Sequence, residues 1–233
     1  MPLFSPIDLV ALAWFIGAWA IYSAILSLTE KRRQGLNSEM NRFRDVWMFQ
    51  MLGREMRMVD AQIVAALQNG TAFFASTSLI AIGGALTLLR STDEIIQVVA
   101  ALPFGITTTP VQWEAKTMGL AIIFVYAFFK FGWSYRLYNY VAILVGATPP
   151  AHEQDTPEAK AHAHRVGRLC EVAGLHFNRG QRAFFFALAY LGWFVSGYVL
   201  IISTVAVMLV MWRRQFASDA LAAVEERPKP LKG

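Results

Sequence analysis

Residues 69–86 read Asn-Gly-Thr-Ala-Phe-Phe-Ala-Ser-Thr-Ser-Leu-Ile-Ala-Ile-Gly-Gly-Ala-Leu. The stretch is apolar enough to enter a bilayer, yet it opens with amide and hydroxyl groups and carries two adjacent glycines. Residues 178–189 repeat its order of Asn, Gly, Ala, Phe, Phe and Ala with two extra residues, as Asn-Arg-Gly-Gln-Arg-Ala-Phe-Phe-Phe-Ala-Leu-Ala. Each copy follows a basic segment and leads into a long apolar run. This echo predicts a membrane protein built from two similar helix pairs, a possible two-fold repeat.

The composition supports a membrane protein. The chain has 233 residues, of which 56% are hydrophobic and 16% are charged, against about 25% charged residues in soluble chains. The charges lie between the apolar runs, as in multi-spanning proteins. The net charge of +5 fits basic loops held against an anionic cytoplasmic leaflet, so no nucleic-acid partner is expected. Cys170 is the single cysteine, which excludes an intramolecular disulfide.

The sequence predicts an all-α integral membrane protein with four transmembrane helices. The amino terminus has no Lys or Arg before the first apolar run, whereas Lys31, Arg32 and Arg33 follow it. This asymmetry predicts an amino terminus outside the cell and argues against a cleavable signal peptide. Four spans would also return the carboxyl terminus, with Arg213 and Arg214, to the outside, in conflict with the same charge rule. The spans are expected at about residues 7–28, 69–90, 117–137 and 183–212, the last with Gly192 and Gly197 as bends.

Two amphipathic cytoplasmic segments join the spans. Residues 37–68 form a predicted helix in which Met40, Phe43, Trp47 and Met51 recur at helical spacing. It lies in the inner headgroup region, or it docks a protein partner through residues 37–58, or it caps the protein's own bundle. The second segment, residues 146–182, has a helix start at Pro157 and an expected end at Gly174. The membrane domain covers residues 1–216, and residues 217–233 are expected to form a loose polar tail.

Two further features concern the membrane boundaries. Residues 95–106 are apolar but too short to span, which predicts an interfacial or re-entrant helix in the outer connection. Lys130 lies about 30 Å along a helix that starts at Pro110, so it is expected to snorkel to the inner surface. The alternative is that it lies in the bilayer, together with Arg136, as a functional cation.

The residues that usually carry chemistry lie outside the spans. The absence of a histidine from the spans argues against bis-histidine haem ligation, and His162 and His164 are two apart, unlike a helical zinc pair. A metal site from His152, His162, His176 and Cys170 is conceivable, but solvated helix histidines are the expected state. No carboxylate lies deep in a span, which argues against proton-coupled transport. Nucleotide, hydrolase and metalloprotease motifs are absent, so no catalytic residue, metal or cofactor is predicted.

A polar ring remains at the cytoplasmic entrances of the second and fourth spans. If the halves are parallel repeats, an axis along the membrane normal would bring both entrances to matching positions. Basic residues beside amides and a helix amino terminus could then hold an anionic group, or the same residues could merely cap helices and anchor at headgroups. The predicted polar mouth consists of Asp60, Gln62, Asn69 and Thr71 facing His176, Asn178, Arg179 and Arg182, with Gln68 and Gln181 beside them.

Asp60-Ala-Gln62, residues 69–76 and residues 176–183 resemble a known family. It comprises the bacterial and plant membrane proteins grouped as domain of unknown function 599. The resemblance extends from the first span to about Phe216 and implies a multi-pass membrane protein, with no reaction, substrate or functional residue.

The sequence therefore predicts a multi-pass, homo-oligomeric protein of the cell inner membrane. Its expected role is non-enzymatic, either structural and assembly-related or in binding membrane lipid and a protein partner. The alternative is a small oligomeric channel or transporter with an anion-binding cytoplasmic mouth.

Overall fold

The computed structural model describes residues 3–31, 35–100 and 108–225, and these residues form helices without a strand. Four of the helices are long and apolar enough to cross a membrane by length and composition, over Pro6–Thr29, Met58–Arg90, Pro110–Gly146 and Gly197–Val224. The prediction of an all-helical chain with four such helices is confirmed. The helices are α1 (Pro6–Lys31), α2 (Leu36–Leu52), α3 (Met58–Arg90), α4 (Thr92–Ala100), α5 (Pro110–Gly146), α6 (Pro157–Leu191), α7 (Gly197–Phe216) and α8 (Asp219–Glu225).

Helix α5 is the central element. It begins with proline in its first turn and a capping box between Thr109 and Gln112, which satisfies amide groups that a helix start leaves unpaired. The Gln68 amide of α3 donates to Asn139 Oδ1 at 2.7 Å, and Ser134 Oγ donates to the Ala173 carbonyl of α6 at 2.7 Å. Both α3 and α6 run antiparallel to α5 and therefore parallel to each other. We call the end where α1, α5 and α7 begin the upper end, and the opposite end the lower end.

The predicted fourth span is wrong, because it consists of two helices that run in opposite directions. Helix α6 continues through Gly174 to Leu191, rises to the upper end and finishes in a 3₁₀ turn, Gly192–Phe194. A Cβ at Gly192 would lie 2.7 Å from Ser203 Oγ of α7, so glycine allows the close reversal. Ser196 then caps α7 by accepting from the Val199 amide at 3.2 Å. The reversal returns the chain to the lower end.

This reversal removes the charge conflict. Gln215, in the last turn of α7, packs against Gly35 at the start of α2, so Arg213 and Arg214 lie at the lower end with Lys31. Of the Lys and Arg residues that the structure describes, Arg90 and Lys116 belong to the upper end of the bundle. The predicted carboxyl terminus on the side of the amino terminus is therefore wrong for the described part of the chain.

The predicted helix over residues 37–68 is interrupted. Helix α2 ends at Leu52, and Gly53 to Arg57 form a connection before α3 begins. In this connection Arg57 donates to the carbonyls of Thr148, at 3.2 Å, and Pro149. The connection thus provides hydrogen-bond donors for carbonyl groups that follow the end of α5. If α2 continued into α3 as one helix, these carbonyl groups would lack those donors. Met48, Met51 and Leu52 of α2 are buried against α6 in a hydrophobic cluster near the lower end. This packing is what the capping interpretation predicts.

The remaining boundaries differ in detail. Helix α4 includes the start of the predicted interfacial segment, whose residues 101–106 lie outside the described residues. Lys130 places Nζ over the Tyr126 ring, 5.1 Å from its centroid. The segment predicted as a loose tail begins with α8, whose Leu221 is buried, so the prediction is wrong there. Residues 226–233 lie outside the described part.

Candidate functional site

The α3 half of the predicted polar mouth consists of side chains in unlike environments. Asp60 is completely buried, accepts a hydrogen bond from Trp47 Nε1 at 2.7 Å and forms an ion pair with Arg54. Thr71 is buried and donates to the Leu67 carbonyl at 2.7 Å, within its own helix. Gln62 and Asn69 are exposed. Asp60 therefore joins α3 to α2, while Gln62 and Asn69 face outward.

The α6 half is more closely grouped. Asn178 and Arg182 line one cavity, and Asn178 and Arg179 line a second. His176 lies against Trp133, with ring centroids 6.4 Å apart. Burial, Lys130 and Arg179 hold the pKa of His176 below its usual value.

The structure sets the two halves at different heights along α5. Gln68, next to Asn69, pairs with Asn139, whereas Gly180, next to Arg179, lies against Phe131. Eight residues of α5 separate these contacts, or about 12 Å along a helix. A single mouth formed by all eight residues stays a prediction, because the structure places only Asn178, Arg179 and Arg182 of this set at the two cavities.

The first cavity has a volume of about 220 Å³ and lies between α1, α2, α6 and α7. One part of its wall is apolar, formed by Tyr22, Leu26, Leu36, Phe185 and Met211. The other part carries two guanidinium groups, Arg182 and Arg214, and the amides of Asn37, Asn178, Gln181 and Gln215. Arg214 is held against the wall by Phe185, with Cζ 5.3 Å from the ring centroid.

The second cavity, of about 460 Å³, adjoins the first through Asn37 and Asn178, which line both. Its wall carries charges of both signs: Arg42, Arg168 and Arg179, and Glu39, Asp45 and Glu171. Four of these charges are already paired within the chain, Arg42 with Glu39 at 2.9 Å and Arg168 with Glu171 at 2.8 Å. The two neighbouring cavities thus differ in charge.

Sequence reasoning missed the residues that α1, α2 and α7 contribute to the first cavity, namely Tyr22, Leu26, Leu36, Asn37, Met211, Arg214 and Gln215. They are all distant in the sequence from Asn178, and Met211, Arg214 and Gln215 reach it because α7 returns to the lower end. The available signal was the conflict of Arg213 and Arg214 with an outside carboxyl terminus.

The conceivable metal ligands do not assemble. Within residues 3–31, 35–100 and 108–225, no three His, Cys, Asp or Glu side chains come close enough to hold a metal ion. His162 Nε2 lies 2.9 Å from the Leu144 carbonyl, which can only accept, so Nε2 carries the proton. His152 is exposed. Cys170 is buried, and burial raises the pKa of its thiol.

A second polar cluster, unforeseen from the sequence, lies at the upper end. Lys116 is buried and Nζ donates to the Trp193 carbonyl at 2.8 Å. Trp193 Nε1 in turn donates to Asp8 Oδ1 at 2.9 Å. These contacts fasten the α6–α7 reversal to the upper ends of α1 and α5.

The helices and the comparisons define the class and the family. By length and composition, the four long apolar helices are those of a multi-pass membrane protein. A family model described as "Protein of unknown function, DUF599" matches residues 10–220, so the chain belongs to this family. The comparisons with curated proteins and with solved structures gave no match.

Proposed function

We propose that the protein is a non-enzymatic, multi-pass protein of the cell inner membrane that binds an amphiphilic membrane lipid in the first cavity. The observation that carries this proposal is the division of the cavity wall. Apolar side chains such as Leu26 and Met211 lie beside Arg182, Arg214 and amide groups in the wall of one open cavity. A lipid has the same division between acyl chain and head group.

The position of the first cavity supports the proposal. Leu26 lies near the lower end of α1, and Arg214 lies in the last turns of α7. Apolar helices that end in basic residues support a position of this level at the cytoplasmic membrane surface, because basic residues are retained on that side. The cavity is then at the depth of phospholipid head groups, where basic pockets between helices bind them.

Mild-detergent purification followed by mass spectrometry of retained lipid tests the proposal. The native protein should retain a lipid in a fixed ratio, and Gln181→Trp, which fills the first cavity, should lose most of it. Gln62→Trp, on the exposed part of α3, is the matched control and should retain lipid. Native protein without lipid, or equal retention by Gln181→Trp, would contradict lipid binding in this cavity.

A second candidate is a channel formed by several copies of the chain. Helix α3 is apolar enough to span, yet only 11% of its most apolar window is buried. Asn69 and Ser76 are exposed along it. Such polar groups are costly against lipid, so we propose that α3 helices of neighbouring copies cover them and line a path. Asn69→Leu should then abolish ion flux into liposomes, and unchanged flux would contradict a channel of this kind.

We also propose a protein partner for residues 37–58. Although Met48 and Met51 are buried, Met40, Phe43 and Val46 remain exposed on the outer face of α2. A partner that docks there should co-purify with the native protein and be lost from Phe43→Asp. Co-purification that is insensitive to this substitution would contradict docking through α2.

A further inference from the structure

We propose that the first cavity binds a phosphate group, which a phospholipid head group would supply. This inference rests on the proposed lipid-binding function and names the chemistry that its polar wall would recognise. Four observations at the cavity point to an anion with several acceptor oxygens.

The first observation is the charge of the wall. The described side chains that line the first cavity include Arg182 and Arg214 and no carboxylate. Guanidinium groups match the geometry of phosphate oxygens and remain charged at any physiological pH. The second cavity, in contrast, has Glu39, Asp45 and Glu171 in its wall, so an anion would meet repulsion there.

The second observation is the number of donors. Asn37, Asn178, Gln181 and Gln215 each bring an amide group to the same wall as the two arginines. Each amide has two N–H donors. A phosphate group has acceptor oxygens pointing in several directions, so it can accept from several of these groups at once.

The third observation is a buried donor that lacks an acceptor. Gln215 Nε2 is buried and has no hydrogen-bond partner among the described residues. An unpaired buried donor destabilises the folded state, because it has lost its hydrogen bonds to water. Gln215 also lines the cavity, and a phosphate oxygen bound there would provide the missing acceptor.

The fourth observation is the start of α2. Gly35 stands at its amino end with a φ of 86°, and no described side chain caps this helix. Leu36 and Asn37, the first residues of α2, line the first cavity. The amide groups of a helix amino terminus and its dipole favour a negative charge at this position.

Calorimetric titration of the full chain in maltoside micelles, which carry no phosphate, tests the inference. The probes are a short-chain phosphatidic acid, the diacylglycerol with the same acyl chains, and inorganic phosphate. Phosphatidic acid should bind at least tenfold more tightly than the other two. Arg214→Gln and Arg182→Gln should each weaken its binding about tenfold. Arg168→Gln, which changes the second cavity, is the matched control and should leave binding unchanged.

The outcomes separate this inference from the proposed function. Equal binding of phosphatidic acid and diacylglycerol would overturn the phosphate site while supporting an amphiphile cavity. Equal binding of phosphatidic acid and inorganic phosphate, both weakened by Arg214→Gln, would support the phosphate site and overturn the lipid as its source. Binding of neither amphiphile nor phosphate would overturn both. If Arg182→Gln fails to fold, Arg214→Gln, at an exposed arginine, still decides the result.

Discussion

The two copies of the Asn–Gly–Ala–Phe–Phe–Ala order lie in helices that run in the same direction but meet different surroundings. In α3, Asn69 is exposed, and no described side chain or neighbouring helix comes within 4 Å of a Cβ built at Gly70. In α6, Asn178 lines both cavities, and a Cβ at Gly180 would lie 2.6 Å from the Phe131 ring. The matched glycine position is therefore in close contact with a neighbouring helix in α6 and faces open space in α3.

This difference shows how the same apolar order serves two purposes. Helix α3 presents much of its apolar surface outward, as a lipid-facing helix does, whereas α6 buries Ala183, Phe186 and Ala187 in a hydrophobic cluster with residues of α1, α5 and α7. The repeat of two helix pairs stays a prediction, since shared direction and sequence order do not give the copies equivalent packing.

The largest expected effect comes from substituting the matched glycines. Gly180→Leu should destabilise the protein by about 3 kcal/mol, because overpacking against a rigid ring forces α5 and α6 apart. Gly70→Leu should leave stability unchanged or raise it by up to about 1 kcal/mol, through the higher helix propensity of leucine. Thermal unfolding of both variants in the same detergent measures the difference. Similar losses in both would show that the two glycines are packed alike.

The next largest loss of stability is expected at the upper end of α6, compared with the upper end of α3. Helix α3 ends at the exposed Arg90, whereas the turn after α6 depends on Lys116 and Trp193. Lys116→Met should cost about 1–2 kcal/mol, because it leaves the buried Trp193 carbonyl without its donor. Arg90→Gln is the control and should cost less than about 0.5 kcal/mol. The comparison uses unfolding midpoints in detergent, and equal midpoints for both variants would contradict the fastening role of Lys116.

Much of the fold could be predicted from local patterns in the sequence. Length and hydropathy gave α1, α3 and the upper part of α5, and Pro110 and Pro157 correctly mark helix starts. These features depend on residues that are close in the sequence, such as a proline in a first helical turn. The position of α6 could not be predicted in this way. Its lower half is polar, its upper half is apolar, and the single unbroken helix is stabilised by packing on α5 along its length.

The candidate site was predictable only in part, for a related reason. Asn178, Arg179 and Arg182 share a helix, so their grouping follows from sequence spacing. Arg214 and Gln215 reach the first cavity because of the reversal at Gly192, where the sequence predicts only a bend within one span. The reversal, unlike a bend, brings Gly192 against Ser203 and Val199 of the following helix. No local sequence pattern specifies those contacts.

A smaller effect is expected at the matched asparagines. Asn178→Leu removes an amide that lines both cavities, so the phospholipid retained per protein should fall severalfold. Asn69→Leu lies outside both cavities and should leave retention unchanged. Phosphorus analysis of the detergent-purified variants measures this ratio. Equal loss of phospholipid in both variants would indicate that the two asparagines belong to one binding site, as the predicted polar mouth requires.

The smallest effect is a pH dependence that α6 has and α3 lacks. Two residues before the asparagine, α6 carries His176 where α3 carries Leu67. Burial, Lys130 and Arg179 lower the pKa of His176 in the folded protein, whereas the unfolded chain should titrate near its ordinary value of about 6.5.

The unfolded chain therefore binds more protons between these two pKa values, and stability falls as the pH decreases from about 6.5 towards the folded pKa. Above about pH 6.5 the contribution of the neutral imidazole is complete. His176→Gln should flatten this part of the profile, measured as unfolding midpoints between about pH 5 and 8. His152→Gln, at an exposed histidine, should keep the slope of the native protein. A native profile without a slope below about pH 6.5 would show that Lys130 and Arg179 do not keep His176 neutral.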